Sequence, residues 1–390
     1  MGCRPHMKKP QRNPRPRPVL VAALSVLALL TGCTGLETSP ETTTATPSSS
    51  RSPFEPTTTT PPPAQTGPLL AYRAGDELGI VDGTTVTATA PGTFAPSNDL
   101  ITTEDGRFVF SRTTDGLLVT LEVATGEAAT RNVAVGPTLG TAGASAILWW
   151  EQPNRLMRLD LADPAAQPVL HQVVELPPVA GVRPGEPRLL VARGGTAVVA
   201  RVEAPPSPFG GPDTLYAVRG PGAPASLGQA DANSPVTVAR LSPDGASLAY
   251  ALYRSTDSAC GSAAIVTSDA DGTQQTFDVA GPDVDAGSRV TKLWWPPTGA
   301  PKLSLTTWQC GQPQTYPPVV WQVTDDRIAQ GDPPTSALQA ADVAPGQRAL
   351  ILSHSGTPGD PVGTLVFEES SRRFSIKDDV DAIAVIAPPP

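Results

Sequence analysis

From residue 68 onward the chain is written in short apolar runs, separated by turns carrying Gly, Pro or Asp. The clearest unit is Leu241-Ser242-Pro243-Asp244-Gly245-Ala246-Ser247-Leu248-Ala249-Tyr250, then Ala264-Ile265-Val266-Thr267 and the turn Asp269-Ala270-Asp271-Gly272. The same order recurs at Thr103-Glu104-Asp105-Gly106 with Phe108-Val109-Phe110 and Leu117 to Val123. It recurs again at Ala344-Pro345-Gly346 with Ala349-Leu350-Ile351-Leu352 and Thr364-Leu365-Val366-Phe367. Weaker copies start at Gly143, Gly195 and Gly299. Runs this short, bounded by turn residues, read as strands. No stretch sustains a 3.6-residue period, and proline interrupts most candidate helices. The region is therefore expected to be all β.

The turn glycines fall at 106, 143, 195, 245, 299 and 346, spacings of 37, 52, 50, 54 and 47 residues. Repeats of about 40–50 residues with three or four strands each predict the blades of a β-propeller. Six copies leave the ends to be placed. Residues 69–90 supply three strands without a leading one, and Ala382-Ile383-Ala384-Val385-Ile386 is a lone strand. A C-terminal strand that completes the first blade closes the ring and removes its open edges. Seven blades result. The stretch from Pro177 to Glu186 has no assigned place, so six or eight blades also fit.

The N-terminal pattern is of another kind. Arg4, Lys8, Lys9, Arg12, Arg15 and Arg17 precede an apolar run from Val19 to Leu30, broken only by Ser25. Twelve residues are too few to span a bilayer as a helix, and Leu30-Thr31-Gly32-Cys33 follows at once. This resembles the lipobox of bacterial lipoprotein precursors. The resemblance implies a cleaved signal peptide (1–32) and diacylglycerol on the Cys33 thiol, with acyl chains of the palmitate class. It also implies residence on the extracytoplasmic face of the cell membrane. An ordinary signal peptide and an uncleaved anchor are the alternatives, and Met7 is an alternative start. Residues 33–67 join the cysteine to the repeats: 23 of the 34 residues from Thr34 to Gly67 are Thr, Ser or Pro. Such a segment lacks the apolar area to offset chain entropy, so a disordered linker is expected, either inert or glycosylated. Residues 68–390 form the propeller.

Loss of residues 1–32 leaves 22 Lys+Arg against 37 Asp+Glu, a net charge of −15. That surface repels nucleic acid and anionic headgroups, so membrane attachment rests on the acyl chains. The abundance of proline and alanine points to a GC-rich, actinobacterial source.

Ser242-Pro243-Asp244-Gly245 with Leu248-Ala249-Tyr250 and Asp269-Ala270-Asp271-Gly272 resembles the repeat of TolB-type propellers. Asp105-Gly106 and Pro345-Gly346 match in part. The resemblance implies the fold, and a cell-envelope protein-binding platform by analogy.

Candidate chemistry is sparse. Cys260 and Cys310 fall in equivalent hairpins of adjacent blades, and in an oxidising compartment they should pair. His171 sits in a strand with an outward position expected, and His354 ends one; no Gly-x-Ser-x-Gly elbow is present. Asp269–Asp271, Asp283–Asp285 and Asp378–Asp381 lack the frame of a calcium loop. Trp149-Trp150, Trp294-Trp295, Trp308 and Trp321 are mostly core by alternation, with Trp308 the best candidate for a binding role. The Pro-rich loops from Glu203 to Pro212 and from Cys310 to Pro318 share one face, which makes Phe209, Tyr316 and Trp308 the expected binding face. The expected function is a lipid-anchored platform for protein interaction or sensor assistance, with an envelope or membrane protein as partner. A carbohydrate- or cell-wall-binding lipoprotein is the second reading, and a divergent propeller hydrolase or lactonase the third. No catalytic residue, metal or cofactor is assigned.

Overall fold

The computed structural model describes residues 68–387, apart from 98, 182, 257–259, 270–271, 280–285, 313–314, 326 and 355–359. Residues 1–67, with the signal peptide, Cys33 and the linker, lie outside the described residues, as does the Asp283–Asp285 pair. Among the described residues there is no helix, and every sheet is antiparallel.

Five separate four-stranded sheets and one seven-stranded sheet make up the fold. The large sheet is two blades sharing one strand. Arg372–Ile386, fifteen residues long, pairs through its first half with Gly363–Glu369 and through its second half with Leu69–Ala74. It is thus the outermost strand of blade 7 and the innermost of blade 1. Seven blades result, and the ring is closed by the C-terminal strand. One difference from the sequence reading concerns Asp378 to Asp381, which lie within this continuous strand rather than ahead of a separate one.

Blade 1 continues with Leu69–Ala74, Glu77–Asp82 and Thr85–Pro91. The first, innermost strands of blades 2 to 7 are Ile101–Thr102, Leu139–Thr141, Arg188–Arg193, Val238–Leu241, Ala286–Trp294 and Gln339–Ala344. Around most of the ring these inner strands lie against those of the next blade, so together they line a central channel. Pro177 to Glu186 belongs to the connection between the outer strand of blade 3 (Val169–Val173) and the inner strand of blade 4, where Gly185 N–H bonds Val202 O at 2.8 Å.

The core is a set of wedges between blades, because the middle strands bury both faces against neighbours while the outer strands stay largely exposed. Trp149 packs with Phe110 and Leu159 between blades 2 and 3, while Trp150 turns the other way, against Val199, between blades 3 and 4. Similar clusters join blades 1 and 2, 4 and 5, 5 and 6, and 7 and 1. Among the described residues no such cluster joins blades 6 and 7. There Ser304 Oγ donates to Ala337 O at 2.9 Å and Lys302 pairs with Asp342 at 2.7 Å.

The Asp-Gly turns follow from local hydrogen bonding. Thr103 Oγ1 donates to Asp105 (2.6 Å) and accepts the Phe108 N–H (2.9 Å); Ser242 does the same for Asp244 and Ser247 N–H. Gly245 then takes φ +71, and a Cβ there would stand 2.5 Å from Arg193 O of the preceding blade. Glycine is required twice over, for its backbone angle and for the close approach.

Candidate functional site

A group of buried and half-buried ionisable side chains lies where inner strands and their incoming connections meet at one mouth of the channel. Arg73 is the penultimate residue of the second strand of blade 1 and is fully buried. Its Nε and Nη2 grip Asp381 at 2.9 and 2.6 Å, a bidentate pair, and its Nη1 donates to Ser111 Oγ of blade 2 at 3.0 Å. Asp381 reaches Arg73 because the strand pairing slips there: Arg73 opposes Ala382 while Ala74 opposes Val380, leaving Asp381 as the extra residue of a bulge. A bulge of this kind re-aims a side chain.

Ser111 passes the network on by donating to Asp99 O at 2.8 Å, and the Asp99 carboxylate receives Arg240 Nη2 at 2.6 Å. Asp99 precedes the inner strand of blade 2 and Arg240 lies on that of blade 5. In a seven-bladed ring these blades stand nearly opposite, so the ion pair spans the channel. Lys292, on the inner strand of blade 6, approaches the same charges next to a second bulge, between Val290 and Lys292. Its ammonium forms no hydrogen bond or ion pair with any described residue. Burial lowers its pKa; Arg73 and Arg240 reinforce that shift, whereas Asp381 and Asp99 oppose it. Lys292 remains partly accessible, as befits a side chain enclosed by protein that still touches the channel lumen.

Toward the opposite mouth, Glu104 ties three blades together, accepting from Thr141 Oγ1 at 2.6 Å and Gly194 N–H at 2.9 Å. Arg193 lies beside it, with its pKa lowered by burial and partly restored by Glu104. Among the described residues this network sets Arg73, Arg193, Arg240 and Lys292 against Asp99, Glu104 and Asp381, one positive charge in excess.

The mouth formed by the second-to-third-strand loops is braced by a disulfide between Cys260 of blade 5 and Cys310 of blade 6, with Cα atoms 5.2 Å apart. Phe209 (blade 4) and Tyr316 (blade 6) are 40% and 48% exposed on flanking loops of that face. Trp308 is half-buried, its ring laid over Gly287 of the adjacent inner strand, where a Cβ would come within 2.3 Å. The disulfide, Phe209 and Tyr316 therefore share one face, and Trp308 packs beneath it. His171 is exposed on the outer strand of blade 3, and its pKa is lowered by burial and by Arg158. It lies on a different blade from His354. Among the described residues no three His, Cys, Asp or Glu side chains gather at metal-binding distance.

The sequence reading missed the channel network entirely. Asp381 had been noticed only as part of an acidic run, and Arg73, Arg240 and Lys292 are single cations in apolar strands. The one available signal was that last fact: a cation inside a strand otherwise read as buried must find a partner or a lumen.

The class defined by this topology is the seven-bladed β-propeller. No protein-family model matches the chain, and no curated protein is detectably similar in sequence. Solved structures of similar shape include the Cps50 (Swd1) propeller domain of Myceliophteria thermophila (12% identity, TM-score 0.47, 75% of this chain and 92% of that one). Others are a putative TolB from Agrobacterium tumefaciens (12%, 0.41, 67% and 87%) and an oligogalacturonate lyase from Vibrio parahaemolyticus (11%, 0.46, 80% and 86%). With every one of these TM-scores below 0.5, the fold assignment rests on the strand topology itself.

Proposed function

We propose that this protein is a lipid-anchored, extracytoplasmic propeller that serves as a binding platform for a protein of the cell envelope. The observation that carries the reading is the braced face. Two exposed aromatic side chains, Phe209 and Tyr316, flank a disulfide on the loops that surround a charged channel mouth. Exposed aromatic anchors beside a covalent cross-link between two blades suit protein recognition. The lipobox ending at Cys33 and the Thr/Ser/Pro segment after it support a tethered domain held away from the bilayer.

The test is in-cell crosslinking and affinity recovery of the tagged full chain, beside Cys33→Ser and a Phe209→Ala/Tyr316→Ala double variant. The reading expects an envelope protein recovered with the wild type and lost with the double variant, and Cys33→Ser released from the membrane fraction. Recovery of wall polymer alone, or membrane retention unchanged by Cys33→Ser, overturns it.

A further inference from the structure

Among the described residues, the network at the channel mouth holds one more cation than carboxylates, and the excess sits on one identifiable group. Arg73 is satisfied by Asp381 and Ser111, and Arg240 by Asp99. Among the described residues Lys292 has no such partner, although it lies within electrostatic reach of all four charged groups. A bulge lies beside it in the strand pairing, as one lies at Asp381. An ammonium so enclosed has lost much of its water and is left with only carboxylates already paired to arginines, which is costly unless something arrives to supply a counter-ion of its own.

We propose that Lys292 is the anchor of an anion site in the channel mouth, and that its ligand is a single carboxylate. This deepens, and rests on, the binding-platform reading: the carboxylate is that of a chain terminus presented by the partner, or a free organic acid using the same chemistry. Charge decides the class. One carboxylate neutralises the single excess positive charge, whereas a phosphate near −2 overshoots it and meets Asp99 and Asp381. The net acidic character of the chain likewise turns polyanions away.

The experiment is calorimetric titration of the full chain in detergent at neutral pH with four probes: Gly-Gly-Ala with a free carboxyl, its C-terminal amide, acetate and inorganic phosphate. The expected result is binding of the free acid at least about tenfold tighter than the amide, with the difference abolished in Lys292→Met. Acetate matching the tripeptide assigns the site to small acids, and acetate much weaker assigns it to chain termini; both uphold the carboxylate. Equal binding of acid and amide, tighter binding of phosphate, or no carboxylate binding up to about 10 mM overturns the proposal. So does an acid-to-amide ratio unchanged in Lys292→Met. That variant should unfold at or above the wild-type temperature, because it removes an unpaired buried charge, so lost binding cannot be laid to misfolding. The two readings fail separately. A partner recovered equally with Lys292→Met sinks only the carboxylate site, and carboxylate binding without any recovered partner sinks only the platform.

Discussion

Arg73 and Asp381 show how much rests on one pair when both members are out of water. Each is nearly inaccessible, and each is satisfied only because the other is present. Asp381→Ala leaves a buried guanidinium with Ser111 and the Pro96 carbonyl alone, and is expected to cost about 3–5 kcal/mol, read as a fall in the chemical-denaturation midpoint. The double change Arg73→Met/Asp381→Leu should cost markedly less than the sum of its parts, since it removes the stranded charge along with the pair. Asp105 gives a pH-dependent counterpart. Burial pushes its pKa up, but hydrogen bonds from Ser145, Thr103 and the Arg107 N–H outweigh that and hold it below the ordinary carboxylate value. The folded state therefore favours the ionised form. Its contribution is complete above the unfolded-state pKa of about 4 and disappears as pH falls through the lower folded value. In Asp105→Asn the acid-unfolding curve should lose steepness in that window, and stability at neutral pH should drop by about 1 kcal/mol.

At the level of elements, strands and turns were legible because they depend on neighbours in sequence. Pro243-Asp244-Gly245 announces its turn through a serine hydroxyl two residues before the aspartate and a glycine free to take positive φ. Trp149 and Trp150 part to opposite wedges because alternation allows nothing else. The placement of Cys260 and Cys310 in matching loops was also readable, since it follows from blade order. Bulges were not readable. Nothing local marks Asp381 or Thr291 as the extra residue of its strand, yet those slips build the channel network. The same logic of order gives a prediction for the disulfide. A crosslink 50 residues apart restricts the unfolded chain by about 4 kcal/mol in the entropy model. Cys260→Ser/Cys310→Ser should lower stability by up to that amount, measured by denaturation with and without reductant, while reductant leaves the double variant unchanged.

Across the whole molecule, the closure of the ring and its weakest seam are separate matters. Blades 7 and 1 share a covalent strand, Arg372–Ile386, and an apolar wedge that includes Tyr72, Ile351 and Ile383. Blades 5 and 6 share a wedge and the disulfide. Between blades 6 and 7 the described residues offer chiefly hydrogen bonds and an ion pair whose Asp342 side chain is 68% exposed, a contact worth little in water. Local opening should therefore begin at this seam rather than at the terminal strand, although chain ends are the usual place for fraying. Native-state hydrogen exchange resolves the two. Amides of Lys302–Gln309 and Gln339–Ala344 are expected to exchange through a lower-energy opening than those of Leu69–Ala74 and Leu248–Ser255. Exchange led instead by residues 380–386 would place the weak point at the closing strand. Because Lys292 stands on the inner strand of blade 6, beside this seam, a carboxylate bound there should slow exchange in blades 6 and 7 first, and Lys292→Met should remove that protection.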